Sequence, residues 1–145
     1  MYEPAVSKPP RSFWPIAIAA LIWNILGVAA YLGDVMMGED ALAALPADEQ
    51  ALYAAVPAWA TGAYAFAVFG GLLGSIGLLL RKKWAAPVFV VSLIGVLVQM
   101  FQTFFLSDAL AVYGAGVVVM PLFIIAVGIF LIVYSRKAAA RGWLT

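Results

Sequence analysis

Two long segments without a charged residue, 59–80 and 84–106, are separated only by Arg81, Lys82 and Lys83. Each segment is at least as long as the roughly 20 residues that an α-helix needs to cross the hydrocarbon core of a bilayer. Three adjacent positive charges are too costly to leave in hydrocarbon, so they mark a tight turn at a membrane surface. The pattern therefore predicts a hairpin of two membrane-crossing helices.

The composition places the rest of the chain in the membrane as well. Hydrophobic residues make up 66% of the 145 residues and charged residues 10%, whereas a soluble domain carries about 25% charged residues. So few charges cannot cover a water-facing surface. We predict one integral membrane domain, because a chain of this length leaves no room for a separate soluble module.

Apolar segments on both sides of the hairpin extend the pattern to four helices. The predicted fold class is an all-α, four-helix transmembrane bundle, with helices at about 13–33, 57–80, 84–106 and 112–134. Trp14 and Pro15 suit a helix start at the membrane interface, because proline is tolerated in the first turn. Pro121 falls inside the fourth predicted helix and is expected to kink it.

Three segments remain outside these helices. Residues 1–12 contain three prolines and predict a short disordered N-terminal tail. Residues 34–56 hold five acidic residues and no lysine or arginine, and form the predicted outer loop. Its alanine-rich stretches 41–45 and 48–55 are typical of short surface helices. Residues 136–145 are predicted to be a basic C-terminal tail.

The distribution of charge predicts the orientation of the bundle. All eight basic residues lie in the N-terminal tail, the turn at 81–83 or the C-terminal tail, and six of the seven acidic residues lie in the other two loops. Four helices bring the three basic segments to the same side of the membrane. The positive-inside rule makes that side cytoplasmic, so both termini are predicted to be cytoplasmic.

The residue types that the chain lacks narrow the possible functions. It has no cysteine and no histidine, which excludes disulfides, Cys/His metal sites and imidazole acid–base chemistry. The predicted helices contain no Asp, Glu, Lys or Arg, although ion-coupled carriers usually need one there. We therefore predict no enzymatic activity, no cofactor and no metal, and the net charge of +1 indicates no nucleic-acid partner.

Polar side chains inside the predicted helices form the candidate site. Asn24 lies in the first helix, Tyr64 in the second, and Gln99 and Gln102 in the third. One interpretation is a small pocket that holds a neutral polar molecule. The other, which the sequence favours, is hydrogen bonding between helices, with an average of about 0.6 kcal/mol per bond.

Small residues on the second helix predict close helix packing. Gly70, Gly74 and Gly77 lie about one turn apart, which lets another backbone approach closely. The partner is either another helix of the same chain or a second copy, and contact within the chain is the simpler interpretation because neighbouring helices are already tethered.

Several short motifs give the chain a likeness to a known family. They are Ala51-Leu52-Tyr53, Pro57-Ala58-Trp59, residues 69–74, residues 77–85, residues 92–96 with Gln99, and Met120-Pro121. With these motifs the chain resembles a family of small four-helix bacterial inner-membrane proteins that are loosely labelled as sugar transporters. The resemblance implies a bacterial inner membrane and a role with solutes.

Two functions follow as expectations. The first is a non-enzymatic accessory or interaction subunit, whose partners are the lipid bilayer and either a larger membrane protein complex or further copies of the chain. The second is an oligomeric carrier or channel for small neutral solutes such as sugars. An accessory subunit predicts a dry bundle, whereas a carrier predicts a cavity lined by Asn24, Tyr64, Gln99 and Gln102.

Overall fold

The structure, a computed structural model, describes residues 7–145, so the first half of the predicted N-terminal tail lies outside the described residues. Within residues 7–145 the fold is all-α, which confirms the predicted class. Its helices are α1 (Phe13–Val35), α2 (Glu39–Ala43), α3 (Ala47–Ala55), α4 (Ala58–Leu79), α5 (Ala85–Phe105), α6 (Ala109–Tyr113) and α7 (Val119–Ala140), with a 3-10 helix at Ala115–Val118 before α7.

Four of these helices are long and apolar enough to cross a bilayer: α1, α4, α5, and α7 together with the 3-10 helix that precedes it. The shortest, α5, has 21 residues, which still exceeds the length of about 20 residues that the hydrocarbon core requires. The chain is therefore a multi-pass membrane protein with four spans.

The four spanning helices pack in the order α1, α4, α5, α7, and each packs on the next. The first and last of them come close at few backbone positions, so side chains close the seam between α1 and α7. The rings of Phe13 and Tyr134 stack with centroids 6.3 Å apart. Near the middle of the bundle, Trp23 meets Phe123 edge to face at 5.4 Å.

The closest helix contact lies between α4 and α5, and it depends on Gly95. A Cβ atom placed on Gly95 would lie 2.7 Å from the carbonyl oxygen of Ala63 and 2.8 Å from the amide nitrogen of Ala67. No side chain fits between two backbones at this distance, so only glycine allows the two helices to come together here.

The three glycines predicted to form a packing face lie against the other half of the hairpin. A Cβ atom on Gly74 would lie 2.8 Å from the ring of Phe89, and one on Gly77 would lie 2.6 Å from the ring of Trp84. At Gly70 the nearest atom would be the Cβ of Ser92, at 3.2 Å. These glycines therefore make room for side chains of the same chain.

Hydrogen bonds join three segments at one end of the bundle into a structure that we call the basic cap, which comprises residues 7–12, 81–83 and 141–145. Arg81 holds it together. Its side chain donates to the carbonyl oxygens of Trp143 at 2.8 Å and Ser7 at 2.9 Å, and its own carbonyl oxygen accepts from the amide of Thr145 at 2.7 Å. These bonds hold Arg81 at a φ of 57°, a conformation uncommon for residues other than glycine.

The C-terminal segment 136–145, predicted as a basic tail, is instead part of the folded bundle. The last spanning helix continues to Ala140, and the chain then turns back so that Leu144 is only 1% exposed. Leu144 belongs to the same buried cluster as Phe13 and Leu78. The charges of the segment are obvious in the sequence, but its two large apolar residues, Trp143 and Leu144, pack against the buried cluster and hold it in place.

The N-terminal segment is also tied to this end of the molecule. Ser7 donates its amide to the carbonyl oxygen of Gly142 at 2.8 Å and its hydroxyl to that of Arg141 at 2.6 Å. Both ends of the described chain therefore lie on the same side of the bundle, as four membrane crossings require. Ser7, which lies in the segment predicted to be disordered, therefore has specific hydrogen-bond partners.

The fourth predicted helix, 112–134, is divided in the structure. Gly114 takes a φ of 85° and separates α6 from the 3-10 helix, because glycine enters this conformation without steric cost. Pro121 is then the third residue of α7. In the first turn of a helix the missing N–H of proline leaves no hydrogen bond unmade, so Pro121 does not kink α7. The predicted helix is interrupted at Gly114 instead.

The outer loop at 34–56 contains two short helices, α2 and α3, and is fastened to the end of α1. Tyr53 of α3 donates its hydroxyl to the Asp34 carboxylate at 3.1 Å. Burial, and after it the Asp34 carboxylate, raises the pKa of Tyr53. The phenol therefore remains protonated and able to donate at ordinary pH.

The orientation of the bundle gives a first testable prediction. Single cysteines can replace Asp40, Lys82 and Ala140 without background labelling, because the chain has no cysteine of its own. In intact cells we expect an impermeant thiol reagent to label Asp40→Cys, while Lys82→Cys and Ala140→Cys react only after the membrane is opened. Labelling of Lys82→Cys from outside would reverse the predicted orientation.

Candidate functional site

Asn24 lies near the middle of α1 and is only 9% exposed. Its side-chain nitrogen donates to the carbonyl oxygen of Ala20 at 2.8 Å and to the hydroxyl oxygen of Ser75 on α4 at 2.9 Å. Ser75 in turn donates to the carbonyl oxygen of Gly71 at 2.8 Å. The single asparagine of the chain thus connects α1 to α4 through a buried hydrogen-bond chain.

The close approach of Asn24 to α4 requires glycine at position 71. A Cβ atom on Gly71 would overlap the Oδ1 oxygen of Asn24. The sequence gives Gly71 as one of several small residues on this helix, and nothing in their spacing distinguishes it from Gly70 or Gly74. The structure identifies it as the residue that admits the amide.

A cavity of about 420 Å³ lies beside Asn24, and all four spanning helices contribute to its wall. Of the four predicted pocket residues, Asn24, Tyr64 and Gln99 line this cavity, and Gln102 does not. Gln102 is buried, at 4% exposed. It lies seven residues after Gly95 and hence on the same face of α5, which is turned toward α4.

Two other polar side chains of the cavity wall donate hydrogen bonds within the chain. Gln99 donates to the hydroxyl of Thr103 on its own helix at 3.1 Å, and Ser92 donates to the carbonyl oxygen of Ala67 at 2.5 Å. Gln99 therefore makes its bond within α5, whereas Asn24 makes one between helices.

Most of the cavity wall is apolar and none of it is charged. Its remaining lining residues are Trp23, Leu26, Gly27, Ala30, Ala67, Val68, Gly71, Phe89, Leu93, Val96, Met100, Met120, Ile124, Val127, Gly128 and Leu131. Cavities of this size with apolar walls and a few placed polar groups are typical of small-molecule sites. A charged ligand would have no counter-ion here, so the wall suits a neutral molecule.

The cavity opens sideways, between α1 and α7, in the half of the bundle farther from the basic cap. Leu26 and Met120 both line the cavity and are nevertheless 62% and 59% exposed. Nearer to the cap, the contact between Trp23 and Phe123 closes the seam. The exposed faces of spanning helices meet lipid, so the opening faces the interior of the bilayer.

The described residues contain no cluster of acidic side chains that could hold a metal ion, and cysteine and histidine are absent from the chain. The sequence offered a pocket at Asn24, Tyr64, Gln99 and Gln102 as the less favoured interpretation, and it did not predict that most of the wall would be apolar. Glycines on the two helices that flank the cavity, Gly27 and Gly128, line it. The spacing of these glycines in the sequence does not reveal whether a neighbouring side chain fills the space beside them.

Comparisons of the chain with protein-family models, with curated proteins and with solved structures find no match. The resemblance to a family of small inner-membrane proteins therefore stays a prediction.

Proposed function

We propose that the chain is a non-enzymatic membrane protein that binds a small, neutral, mainly apolar molecule in its central cavity, and that it serves as the ligand-binding component of a larger membrane assembly. The observation that carries the proposal is the cavity of about 420 Å³ to which all four spanning helices contribute. Helix bundles usually fill such space with their own side chains, so a volume that all four helices leave unfilled is a candidate binding site.

The wall favours an apolar ligand over a sugar. A sugar presents many hydroxyl groups, and each one buried without a partner carries a desolvation cost of about 1–3 kcal/mol. The Ser92 hydroxyl and one N–H of the Gln99 amide already donate within the protein, and most of the remaining wall is apolar. The alternative function, a carrier or channel for neutral solutes such as sugars, therefore has little support from the cavity wall.

The proposed location is the bacterial inner membrane, with both termini in the cytoplasm. The segregation of basic and acidic residues supports this orientation. The resemblance noted in the sequence supports the bacterial setting. In this membrane the ligand is supplied by the bilayer or by a partner protein.

Filling the cavity should abolish binding, which is the second testable prediction. A Cβ atom on Gly27 would make an ordinary contact of 3.5 Å with Val68, so Gly27→Leu can place its side chain at the cavity without a backbone clash. We expect this variant to bind a neutral solvatochromic dye at least about tenfold more weakly than the wild type, because its added carbons occupy the site. Dye fluorescence is measured in nanodiscs, with protein-free nanodiscs as background.

The matched control is Gly33→Leu, since Gly33 lies on the same helix and a Cβ atom there has no neighbour within 4 Å. This variant should bind the dye as the wild type does. Equal affinity in all three proteins would place the dye outside the cavity and contradict the proposal. Displacement of the dye by a neutral sugar would support the carrier instead.

A further inference from the structure

We infer that the ligand of the cavity carries a hydroxyl group at one end of an apolar body and donates it to Asn24, and that it enters from the bilayer between α1 and α7. The inference rests on the proposed function, because it specifies the molecule that the same cavity holds. A lipid-soluble alcohol is the chemical class that fits these requirements. Three observations support this assignment: the hydrogen bonds that Asn24 makes, the positions of the polar groups along the cavity, and the place where the cavity opens.

The hydrogen bonds of Asn24 determine which atom of its amide is available. A backbone carbonyl oxygen can only accept, so the side-chain atom facing Ala20 must be the nitrogen. Both of its hydrogens are used, one on Ala20 and the other on Ser75. The Oδ1 atom accepts no hydrogen bond within residues 7–145. It is not among the fully buried polar atoms without a partner, so it is accessible and can accept a hydrogen bond from a ligand.

An acceptor without a partner selects for a donor. An amide oxygen that lines a mainly apolar cavity is stabilised when a hydroxyl group donates to it. A ketone, ether or ester offers acceptors only and leaves Oδ1 unpaired. Since no charged residue lines the cavity, an ammonium donor would be buried without a counter-ion, which leaves a neutral hydroxyl as the favoured donor.

The polar groups of the cavity lie at two depths with apolar wall between them. Ser92 and Asn24 both approach Gly71, near the middle of the bundle. Gln99 follows Ser92 by seven residues on α5, which corresponds to about 10 Å along the helix axis. A molecule with one hydroxyl at Asn24 can therefore extend an apolar body from there toward the outer end.

The opening gives such a molecule a route that avoids water. It lies beside Leu26 and Met120, two residues that are exposed on the bilayer-facing surface and also line the cavity. An alcohol dissolved in the membrane reaches this opening by lateral diffusion. Its apolar body then stays in contact with lipid or with apolar side chains throughout entry.

The test observes the side-chain amide of Asn24 directly by nuclear magnetic resonance. Asn24 is the single asparagine in the chain, so protein labelled with ¹⁵N-asparagine gives one side-chain amide signal. Decanol and decyl methyl ether are added to this protein in nanodiscs; the two differ in the hydroxyl donor. We expect decanol to shift the amide signal and to displace the solvatochromic dye about tenfold more effectively than the ether does. Gly27→Leu protein, whose cavity is filled, should show neither effect.

The outcomes separate the two proposals. Equal displacement of the dye by decanol and the ether, with no shift specific to decanol, would overturn the hydroxyl assignment while leaving the cavity as the binding site. If neither molecule displaces the dye and neither shifts the amide, the inference fails together with the proposed function.

A decanol-induced shift that persists in Gly27→Leu would mean an effect of the membrane and would also overturn the inference. An amide signal that exchanges with water and ignores decanol would assign Oδ1 to a bound water molecule, against the inference.

Discussion

Replacing Gly95 by leucine is expected to lower the free energy of unfolding of the bundle by about 3 kcal/mol, at the upper end of the usual range for overpacking. The reason is the contact with α4, where even a Cβ atom would lie 2.7 Å from the Ala63 carbonyl oxygen. Backbone atoms cannot rotate away as a side chain can. The two central helices would have to separate, and the contacts between them would be lost along the hairpin.

The measurement is equilibrium unfolding in mixed micelles, with Gly62→Leu as the matched control. Gly62 lies on α4 and a Cβ atom there has no neighbour within 4 Å, so the same change should have little effect. If Gly95→Leu proves as stable as Gly62→Leu, the close contact between α4 and α5 does not exist. If Gly95→Ala loses less unfolding free energy than Gly95→Leu, α4 and α5 can move apart far enough to accept a methyl group.

Replacing Leu144 by alanine is expected to destabilise the protein by about 2 kcal/mol, the lower end of the range for a buried leucine. The side chain is 1% exposed and packs in the cluster with Phe13 and Leu78. Its removal leaves a void under the basic cap. The lower end of the range applies because a segment near the membrane surface can relax into the space.

The control for this change is Leu80→Ala, since Leu80 is 60% exposed at the same end of the molecule. We expect it to unfold as the wild type does in detergent. Both variants are also digested with a protease that cleaves after basic residues, and only Leu144→Ala should be cut faster at Arg141. Identical stability of the two would restore the interpretation of 136–145 as a tail.

The helical hairpin was predictable from the sequence because its signals are local. The predicted helices at 57–80 and 84–106 differ by one residue at each end from α4 and α5. Proline at position 57 and the three charges at 81–83 determine where these helices begin and end, independently of how the rest of the chain packs. Length and hydropathy likewise predicted the four spans, since both are properties of each segment alone.

The C-terminal segment and the cavity could not be predicted in the same way. Leu144 is buried because Phe13 and Leu78 are beside it, and no periodicity links residues so far apart in the chain. The cavity is a mismatch between the volumes of side chains from four helices. The role of Gly95 was not predicted, because a glycine that admits a neighbouring backbone looks in the sequence like any other small residue.

The basic cap fastens the first and last spanning helices together at one end, where Ser7, Arg81 and Trp143 share hydrogen bonds. The seam between α1 and α7 can then open only at the end of the bundle opposite the basic cap. Molecules would be exchanged with a single leaflet of the membrane, the one opposite the cap. With the predicted orientation this is the leaflet away from the cytoplasm, so the direction in which the chain is inserted decides which pool of lipid-soluble molecules it can sample.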